Sequence, residues 1–157
     1  LFVGLTKQSA EATKTTAETL GMPYVINRWL GGTLTNFKTI TSRVKYLEDL
    51  EKKQTEGGFE KFTKKEKGLK DREIAALRLK FDGIRKLTRV PDVIFITSLK
   101  ESQLPVREAK RAGVKMAGIV NTDSDPKQID YPIAANDNSK KSVELILEAI
   151  RKGVATQ

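Results

Sequence analysis

Residues 28–36 combine side chains that can bind a sugar-phosphate backbone. Arg28 precedes the only tryptophan, Trp29, and the pair Gly31 and Gly32 follows shortly after. A guanidinium can bind a phosphate through two parallel hydrogen bonds, and glycine lets the main chain approach closely. The same residues also fit a tryptophan that packs at the corner between a strand and a helix, with the glycines in the turn. On physical grounds alone, the packing interpretation is the stronger of the two.

Two residue types that carry much of enzymatic chemistry are absent from the chain. Its 157 residues include no cysteine and no histidine. A disulfide framework, a thiolate nucleophile, a Ser-His-Asp triad and a Cys/His zinc site are therefore excluded. No apolar run approaches the roughly 20 residues that span a bilayer. We expect no catalytic site, metal, cofactor or membrane anchor.

Two further polar clusters follow apolar runs. Residues 4–9 read Gly-Leu-Thr-Lys-Gln-Ser, and their main-chain N–H groups could hold a phosphate near Lys7. They lack the glycine spacing of a dinucleotide fingerprint or a nucleotide P-loop. Asp123, Asp125 and Asp130 could hold a divalent cation, but aspartates also form turns. We favour a phosphate contact for Lys7 and turns for the aspartates.

The apolar pattern predicts strands that alternate with helices. Short apolar runs predict buried strands at residues 1–5, 24–26, 93–97, 116–120 and 131–134. Helical patterns cover residues 9–20, 104–112 and 139–152, with Ser9 as the first N-cap and Gly21, Gly113 and Gly153 at the three ends. This alternation is typical of a mainly parallel sheet covered on both faces. Since no helix precedes the first strand, we expect further residues before residue 1.

Residues 34–87 interrupt this alternation. Apolar residues recur there at spacings of three and four, and the turn-rich residues 54–59 divide the segment into halves. The pattern predicts an antiparallel coiled-coil hairpin with a narrow apolar seam. A helix over residues 34–54 would be about 31 Å long, so we expect its tip to project. The seam consists of Leu34, Phe37, Ile40, Val44, Leu47 and Leu50, then Ile74, Leu77, Phe81, Ile84 and Leu87.

Positive charge is concentrated in the same segment. The chain carries a formal net charge of +9. Residues 38–90 hold 16 Lys and Arg against 9 Asp and Glu, a net of +7, and all other residues contribute +2. Such an excess is typical of a surface that binds polyanions, but interspersed carboxylates also fit a solvated helix pair laced by salt bridges. Charge alone supports both interpretations equally.

Two blocks of the sequence resemble the signatures of one family. The first is Arg-Trp-Leu-Gly-Gly at residues 28–32, continuing to Asn36. The second is Asn-Thr-Asp-Ser-Asp-Pro at residues 121–126, followed by Asp-Tyr-Pro-Ile at 130–133 and Asn-Asp at 136–137. Both resemble the family of bacterial small-ribosomal-subunit protein S2, in the family's order and with a charged insert between them. The resemblance covers nearly the whole chain.

This resemblance implies a non-catalytic structural protein of the small ribosomal subunit that binds ribosomal RNA and supports translation. The implied partners are small-subunit ribosomal RNA and neighbouring subunit proteins, including the large messenger-recruiting protein, in a cytoplasmic or organellar ribosome. We predict a flavodoxin-like α/β three-layer sandwich with a mainly parallel sheet. Its body would comprise residues 1–33 and 91–157, lacking an N-terminal part, and residues 34–90 would form the inserted basic coiled-coil hairpin.

The predicted RNA-binding residues lie at the base of the hairpin and along it. Lysine and arginine neutralise phosphates, and the fold fixes their geometry. At the base we predict contacts from Lys7, Arg28, Trp29, Gly31, Gly32, Thr33, Asn36 and Lys38. Along the hairpin we predict contacts from Arg43, Lys45, Lys61, Lys64, Lys65, Lys67 and Arg72.

Two other classes of function stay open. A doubly wound nucleotide- or ligand-binding domain would use the carboxyl ends of the strands, near Lys7, Asn121 and Asp123. A coiled-coil protein-interaction module would use the apolar seam. A copurifying nucleotide would favour the first alternative, whereas cosedimentation with small ribosomal subunits would favour the RNA-binding protein.

Overall fold

The structure is a computed structural model that describes residues 1–58 and 62–155. Within these residues, five strands and five helices follow one another along the chain. They are β1 (Phe2–Val3), α1 (Lys7–Thr19), β2 (Tyr24–Val25), α2 (Phe37–Thr55), α3 (Lys64–Phe81), β3 (Val93–Ile96), α4 (Gln103–Ala112), β4 (Lys115–Val120), β5 (Tyr131–Ala134) and α5 (Lys140–Ala155). Single 3₁₀ turns at Asp82–Ile84 and Pro126–Gln128 complete the described structure. No helix in these ranges is long and apolar enough to cross a membrane.

The five strands form one parallel sheet in the order β2-β1-β3-β4-β5. Phe2 lies opposite Tyr24 on one side and opposite Phe95 on the other. This strand order is that of flavodoxin-like folds, in which the carboxyl ends of the strands form the edge where loops gather. The predicted α/β class and the mainly parallel sheet are confirmed.

Helices cover both faces of the sheet. On one face α1 and α5 pack around Phe2, Phe95 and Ile119. On the other face α2, α3 and α4 contribute to a larger apolar cluster that includes Val3 and Ile94 from the sheet. The buried members of the predicted seam belong to this larger cluster: Leu34, Ile40, Val44, Leu47, Leu50, Ile74, Phe81 and Ile84. The apolar sides of α2 and α3 are therefore continuous with the core.

Three helix boundaries differ from the predicted ones by two or more residues. Thr6, not Ser9, caps α1, because Thr6 Oγ1 accepts a hydrogen bond from Ser9 N at 3.3 Å and Ser9 itself is buried. Helix α5 continues through Gly153, so the predicted stop there is wrong; a glycine is tolerated inside a helix at a cost of about 1 kcal/mol. Helix α2 begins at Phe37, three residues later than predicted. The reason for this last difference lies in a contact with α4.

Helix α3 has a start signal that its apolar pattern did not reveal. Thr63 and Glu66 form a reciprocal capping box, in which Thr63 N donates to Glu66 Oε2 at 2.8 Å and Glu66 N donates to Thr63 Oγ1 at 3.4 Å. These bonds satisfy main-chain donors that a helix start leaves without partners. The second helix of the segment therefore starts well before the first seam residue, Ile74.

Candidate nucleic-acid interface

One buried carboxylate holds the loop that follows β2. Glu108 on α4 is only 6% exposed, and its Oε1 accepts hydrogen bonds from Trp29 Nε1 at 3.1 Å and from Gly32 N at 2.8 Å. Its Oε2 accepts from Leu34 N at 3.0 Å and from Thr35 N at 3.4 Å. Four N–H donors of one loop thus converge on one side chain. They hold the chain in turns up to the start of α2, which is why no helix begins at Leu34.

The hydrogen bonds also determine the charge state of Glu108. Burial raises the pKa of this carboxyl, but the N–H donors of Leu34, Gly32 and Trp29 outweigh burial and leave the pKa below its usual range. Glu108 is therefore ionised at neutral pH, and its charge is compensated by N–H dipoles. We did not identify this residue from the sequence. The available signal was an acidic residue on a short helix between the buried Val106 and Ala109.

The residues of this loop, 28–36, which we call the signature loop, are partly buried. Trp29 is 4% exposed and belongs to the main apolar cluster, so its predicted packing in the core is confirmed. Thr33 is also buried, and its Oγ1 donates to Leu30 O at 2.6 Å. Gly32 has φ of +91°, and a Cβ there would lie 3.1 Å from Asn36 Cβ. The positive φ therefore strongly favours glycine at this position, and a larger residue would also be in tight contact with Asn36.

Several predicted base residues are exposed at one edge of the sheet. Lys7 is the first residue of α1 and follows the carboxyl end of β1, and Arg28 follows the carboxyl end of the neighbouring β2. Both side chains are exposed, as are Gly31, Asn36 and Lys38 where the chain enters α2. The residues predicted to bind RNA at the base of the hairpin therefore form two groups, one buried and one exposed with several cations.

The basic residues predicted along the two helices face solvent. We call α2 and α3 together the helix pair. Six of its predicted residues are exposed and, within the described part of the chain, their side chains make no hydrogen bond or ion pair: Arg43, Lys45, Lys64, Lys65, Lys67 and Arg72. Lys61 lies outside the described residues. No carboxylate among the described residues therefore neutralises these six cations.

Other charged residues join α2 to α3. Tyr46 Oη on α2 donates to Glu73 Oε1 on α3 at 2.9 Å. Glu51 on α2 accepts from Arg78 on α3 and from Arg85 just after it. The hydrogen bonds from Arg85 and Arg78 outweigh burial and lower the pKa of Glu51 to about 2. The helix pair therefore carries one set of charges that cross between its helices and another that faces outward.

A second buried carboxylate joins the carboxyl ends of the last three strands. Asp137 accepts from Ser98 Oγ at 2.6 Å and from Asn121 Nδ2 at 2.9 Å. It lies in the second signature block and is buried. The contact occupies Asn121, a residue that a ligand-binding domain would use at this edge.

The three clustered aspartates make local contacts. Asp125 Oδ1 accepts from Lys127 N at 3.0 Å and caps a 3₁₀ turn, which confirms the turn predicted there. Asp123 pairs with Lys100 at 3.0 Å, and Asp130 accepts from the main chain at the start of β4. Among the described residues, no group of three or more acidic side chains is arranged to hold a metal ion.

Comparison with known proteins identifies close sequence relatives. The profile of the family described as Ribosomal protein S2 matches residues 1–156. Small ribosomal subunit protein uS2 of Rhodopirellula baltica is 42% identical over 154 residues, which cover 98% of this chain and 59% of the relative. The proteins of the same name in Fusobacterium nucleatum and Dictyoglomus turgidum are 43% and 41% identical, each over 98% of this chain and 63% of the relative. The chain thus spans about 60% of the length of these relatives, whose name describes a subunit component and not an enzyme.

Proposed function

Since the chain belongs to the ribosomal protein S2 family, we propose that it is a non-catalytic component of the small ribosomal subunit that binds ribosomal RNA. Its proposed partners are that RNA and neighbouring subunit proteins, among them the large messenger-recruiting protein. Its proposed location is the ribosome, cytoplasmic or organellar. Family membership and the names of the relatives support the subunit role, and the charge distribution supports the RNA contact.

The proposed RNA-binding surface lies on the helix pair. In this proposal α2 and α3 form an antiparallel coiled-coil hairpin, residues 34–90 are an insert, and residues 1–33 and 91–157 form the body. The buried seam and the contacts of Tyr46 and Glu51 with α3 support a paired arrangement. At 1.5 Å per residue, the 19 residues of α2 extend for about 28 Å, long enough to present cations to several successive phosphates.

The observation that carries the proposal is the set of six outward-facing cations that have no partner within residues 1–58 and 62–155. A cation that is already paired gains little by exchanging a carboxylate for a phosphate. An unpaired lysine or arginine neutralises a phosphate and releases the counterions condensed on the RNA. The exposed Lys7, Arg28 and Lys38 extend this surface towards the sheet. The buried Trp29 and Thr33 would act by positioning their neighbours.

A charge-matched pair of triple variants tests the proposal. The helix-pair variant is Arg43→Ala, Lys45→Ala and Arg72→Ala. The control variant is Arg107→Ala, Lys110→Ala and Arg111→Ala, which removes three exposed cations from α4. In filter binding to small-subunit ribosomal RNA near 0.1 M salt, the first variant should lose about a hundredfold or more in affinity, since each lost phosphate contact costs roughly eightfold.

The control variant should lose less than about tenfold, because general attraction falls with net charge even without a direct contact. A larger loss in the control would move the RNA-binding surface to α4 and contradict the proposal. Equal losses would mean that binding follows net charge alone, which would also contradict a surface on the helix pair.

A further inference from the structure

A cleft lies beside the edge strand β2, and none of the six outward-facing cations lines it. Its volume is about 710 Å³, within the range of pockets that hold small organic ligands. The main chain after β2 forms one wall, and α3 forms the other. Val25, Ile74 and Leu79 contribute apolar surface. We call this site the β2 cleft.

Contacts with the main chain hold the walls of the β2 cleft together. Asn27 Nδ2 donates to Leu79 O at 2.9 Å and ties the loop after β2 to α3. The 3₁₀ turn after α3 approaches β2 so closely that a Cβ at Gly83 would collide with Tyr24 O. Because these contacts join residues far apart in the chain, the cleft is a built feature of the fold.

Three cations surround the β2 cleft from different elements. Lys14 comes from α1, Arg28 from the signature loop and Lys80 from α3. All three are exposed, and within the described residues none makes a side-chain hydrogen bond or ion pair. Charge complementarity therefore favours an anionic occupant.

The acidic residues of the β2 cleft do not cancel this preference, because four lysines and arginines line the cleft against two aspartates. Asp71 accepts from Gln54 Nε2 at 2.8 Å, and Asp82 pairs with Arg85 at 2.6 Å. The fourth cation that lines the cleft, Arg78, is likewise paired. Asp71 keeps its negative charge because Gln54 is neutral, but Lys14, Arg28 and Lys80 outweigh it, so the net charge around the cleft is positive.

We propose that the β2 cleft takes one unpaired ribonucleotide of the bound RNA. Its base lies against the apolar surface near Leu79, and its phosphate lies among Lys14, Arg28 and Lys80. An apolar floor with cations around it matches the two parts of a nucleotide, and unpaired bases are the parts of RNA that proteins hold most specifically. A cleft of this volume is too small for a duplex. The inference rests on the proposed RNA-binding function and adds a defined subsite to it.

Two leucines of equal exposure provide a matched test. Leu79 is 67% exposed in the cleft, and Leu145 on α5 is 69% exposed outside it. Leu79→Glu places a carboxylate where the base should lie, and Leu145→Glu makes the same change of net charge elsewhere. Because both side chains are largely in solvent, both variants should fold, which circular dichroism melting checks. The bond from Asn27 uses the main chain of Leu79, so the substitution preserves it.

The probes are a fluorescein-labelled oligouridylate and a blunt RNA duplex of equal length, measured by fluorescence anisotropy. Leu79→Glu should weaken oligouridylate binding by about tenfold or more, the range of one lost base contact. Leu145→Glu should weaken it by less than about twofold. The affinities of the two variants for the duplex should differ by less than about twofold. A pair of lysine variants should give the same contrast: Lys80→Ala should weaken oligouridylate binding more than Lys141→Ala does.

Equal losses of oligouridylate affinity in the two leucine variants would overturn the β2 cleft as a nucleotide subsite. The same conclusion would follow if unlabelled oligoglutamate displaced the probe as well as unlabelled oligouridylate does, because the cleft would then hold acidic chains in general. Failure of the wild-type chain to bind small-subunit ribosomal RNA would instead refute the proposed function itself. The two failures are therefore distinguishable.

Discussion

The signature loop and the helix pair use charge in opposite ways. Beneath the loop, the negative charge of Glu108 on α4 is buried and accepts hydrogen bonds from four N–H donors of the loop, so it fixes one backbone shape. On the helix pair, six cations face solvent without a partner among the described residues. A buried charge whose hydrogen bonds are all made within the protein cannot bind a ligand, whereas an exposed, unpaired charge can. We therefore propose that the buried residues of the loop position their neighbours, whereas the helices contact RNA.

The largest expected effect concerns the helix pair and salt. The affinity for small-subunit ribosomal RNA should fall about 10³- to 10⁵-fold between roughly 50 and 200 mM salt, as for a protein with about 6–10 phosphate contacts. Urea unfolding over the same salt range should change little, because the bonds of Glu108 are buried and poorly screened. An affinity that stays constant with salt would contradict the proposal that the cations of the helix pair bind RNA phosphates.

The next effect concerns the core of the signature loop. Trp29→Ala should lower the free energy of unfolding by about 3–5 kcal/mol, because a buried ring leaves a cavity. The affinity of the folded protein for RNA, measured in the cold, should stay within about threefold of the wild type. The reason is that the substitution is buried and leaves the exposed cations unchanged.

Trp29→Phe is the control for this prediction, because it keeps most of the ring volume and loses the indole N–H bond to Glu108. Its stability should lie between those of the wild type and Trp29→Ala. If Trp29→Ala leaves the thermal midpoint unchanged while RNA affinity collapses, Trp29 is a base-stacking platform and the assignment of the loop to positioning is wrong.

A smaller effect is expected when the charge of Glu108 is removed without changing its shape. In Glu108→Gln, the amide N–H₂ group would face at least one N–H donor of the loop and lose hydrogen bonds. The expected cost is about 1–3 kcal/mol in guanidinium unfolding. Glu11→Gln, at an exposed glutamate of α1, is the control and should change stability by less than about 0.5 kcal/mol.

The same variant should also change the response to acid. Because the pKa of Glu108 is lower in the folded chain than in the unfolded one, its contribution is complete above the unfolded value of about 4.3 and is lost as the pH falls through the folded pKa. The stability of the wild type minus that of Glu108→Gln should therefore shrink as the pH falls below about 4.3. A difference that grows on acidification would contradict an ionised Glu108.

The smallest effect isolates one outward-facing cation. Lys67→Ala should lower the steepness of the plot of log affinity against log salt by about 0.7–0.9, the value of one phosphate contact. Its free energy of unfolding should stay within about 0.5 kcal/mol of the wild type, since the side chain has no described partner. Lys141→Ala on α5 should leave the steepness unchanged. A change of equal size in Lys141→Ala would argue against a localised surface.

Elements with strong local patterns were predictable. Gly113 ends α4 as predicted, with φ of +69°. The last strand has the predicted bounds, but the prediction that it is buried is wrong, because β5 lies at the edge of the sheet and is mostly exposed. Boundaries that depend on a specific contact were less predictable. Thr6 and not Ser9 caps α1, because the side chain of Ser9 is buried. The late start of α2 depends on Glu108, whose hydrogen bond to Leu34 spans 74 residues.

The amino-acid sequence by itself determined the α/β alternation, the basic excess of residues 38–90 and the lack of histidine and cysteine chemistry. These properties follow from composition and from local periodicity, which need no knowledge of distant contacts. Only the tertiary structure decided which carboxylate is buried beneath the signature loop, which cations are paired, and that Lys14, Arg28 and Lys80 surround one cleft. The reason is physical: whether a charge is neutralised or free depends on partners that folding brings together, such as Trp29 and Glu108, 79 positions apart.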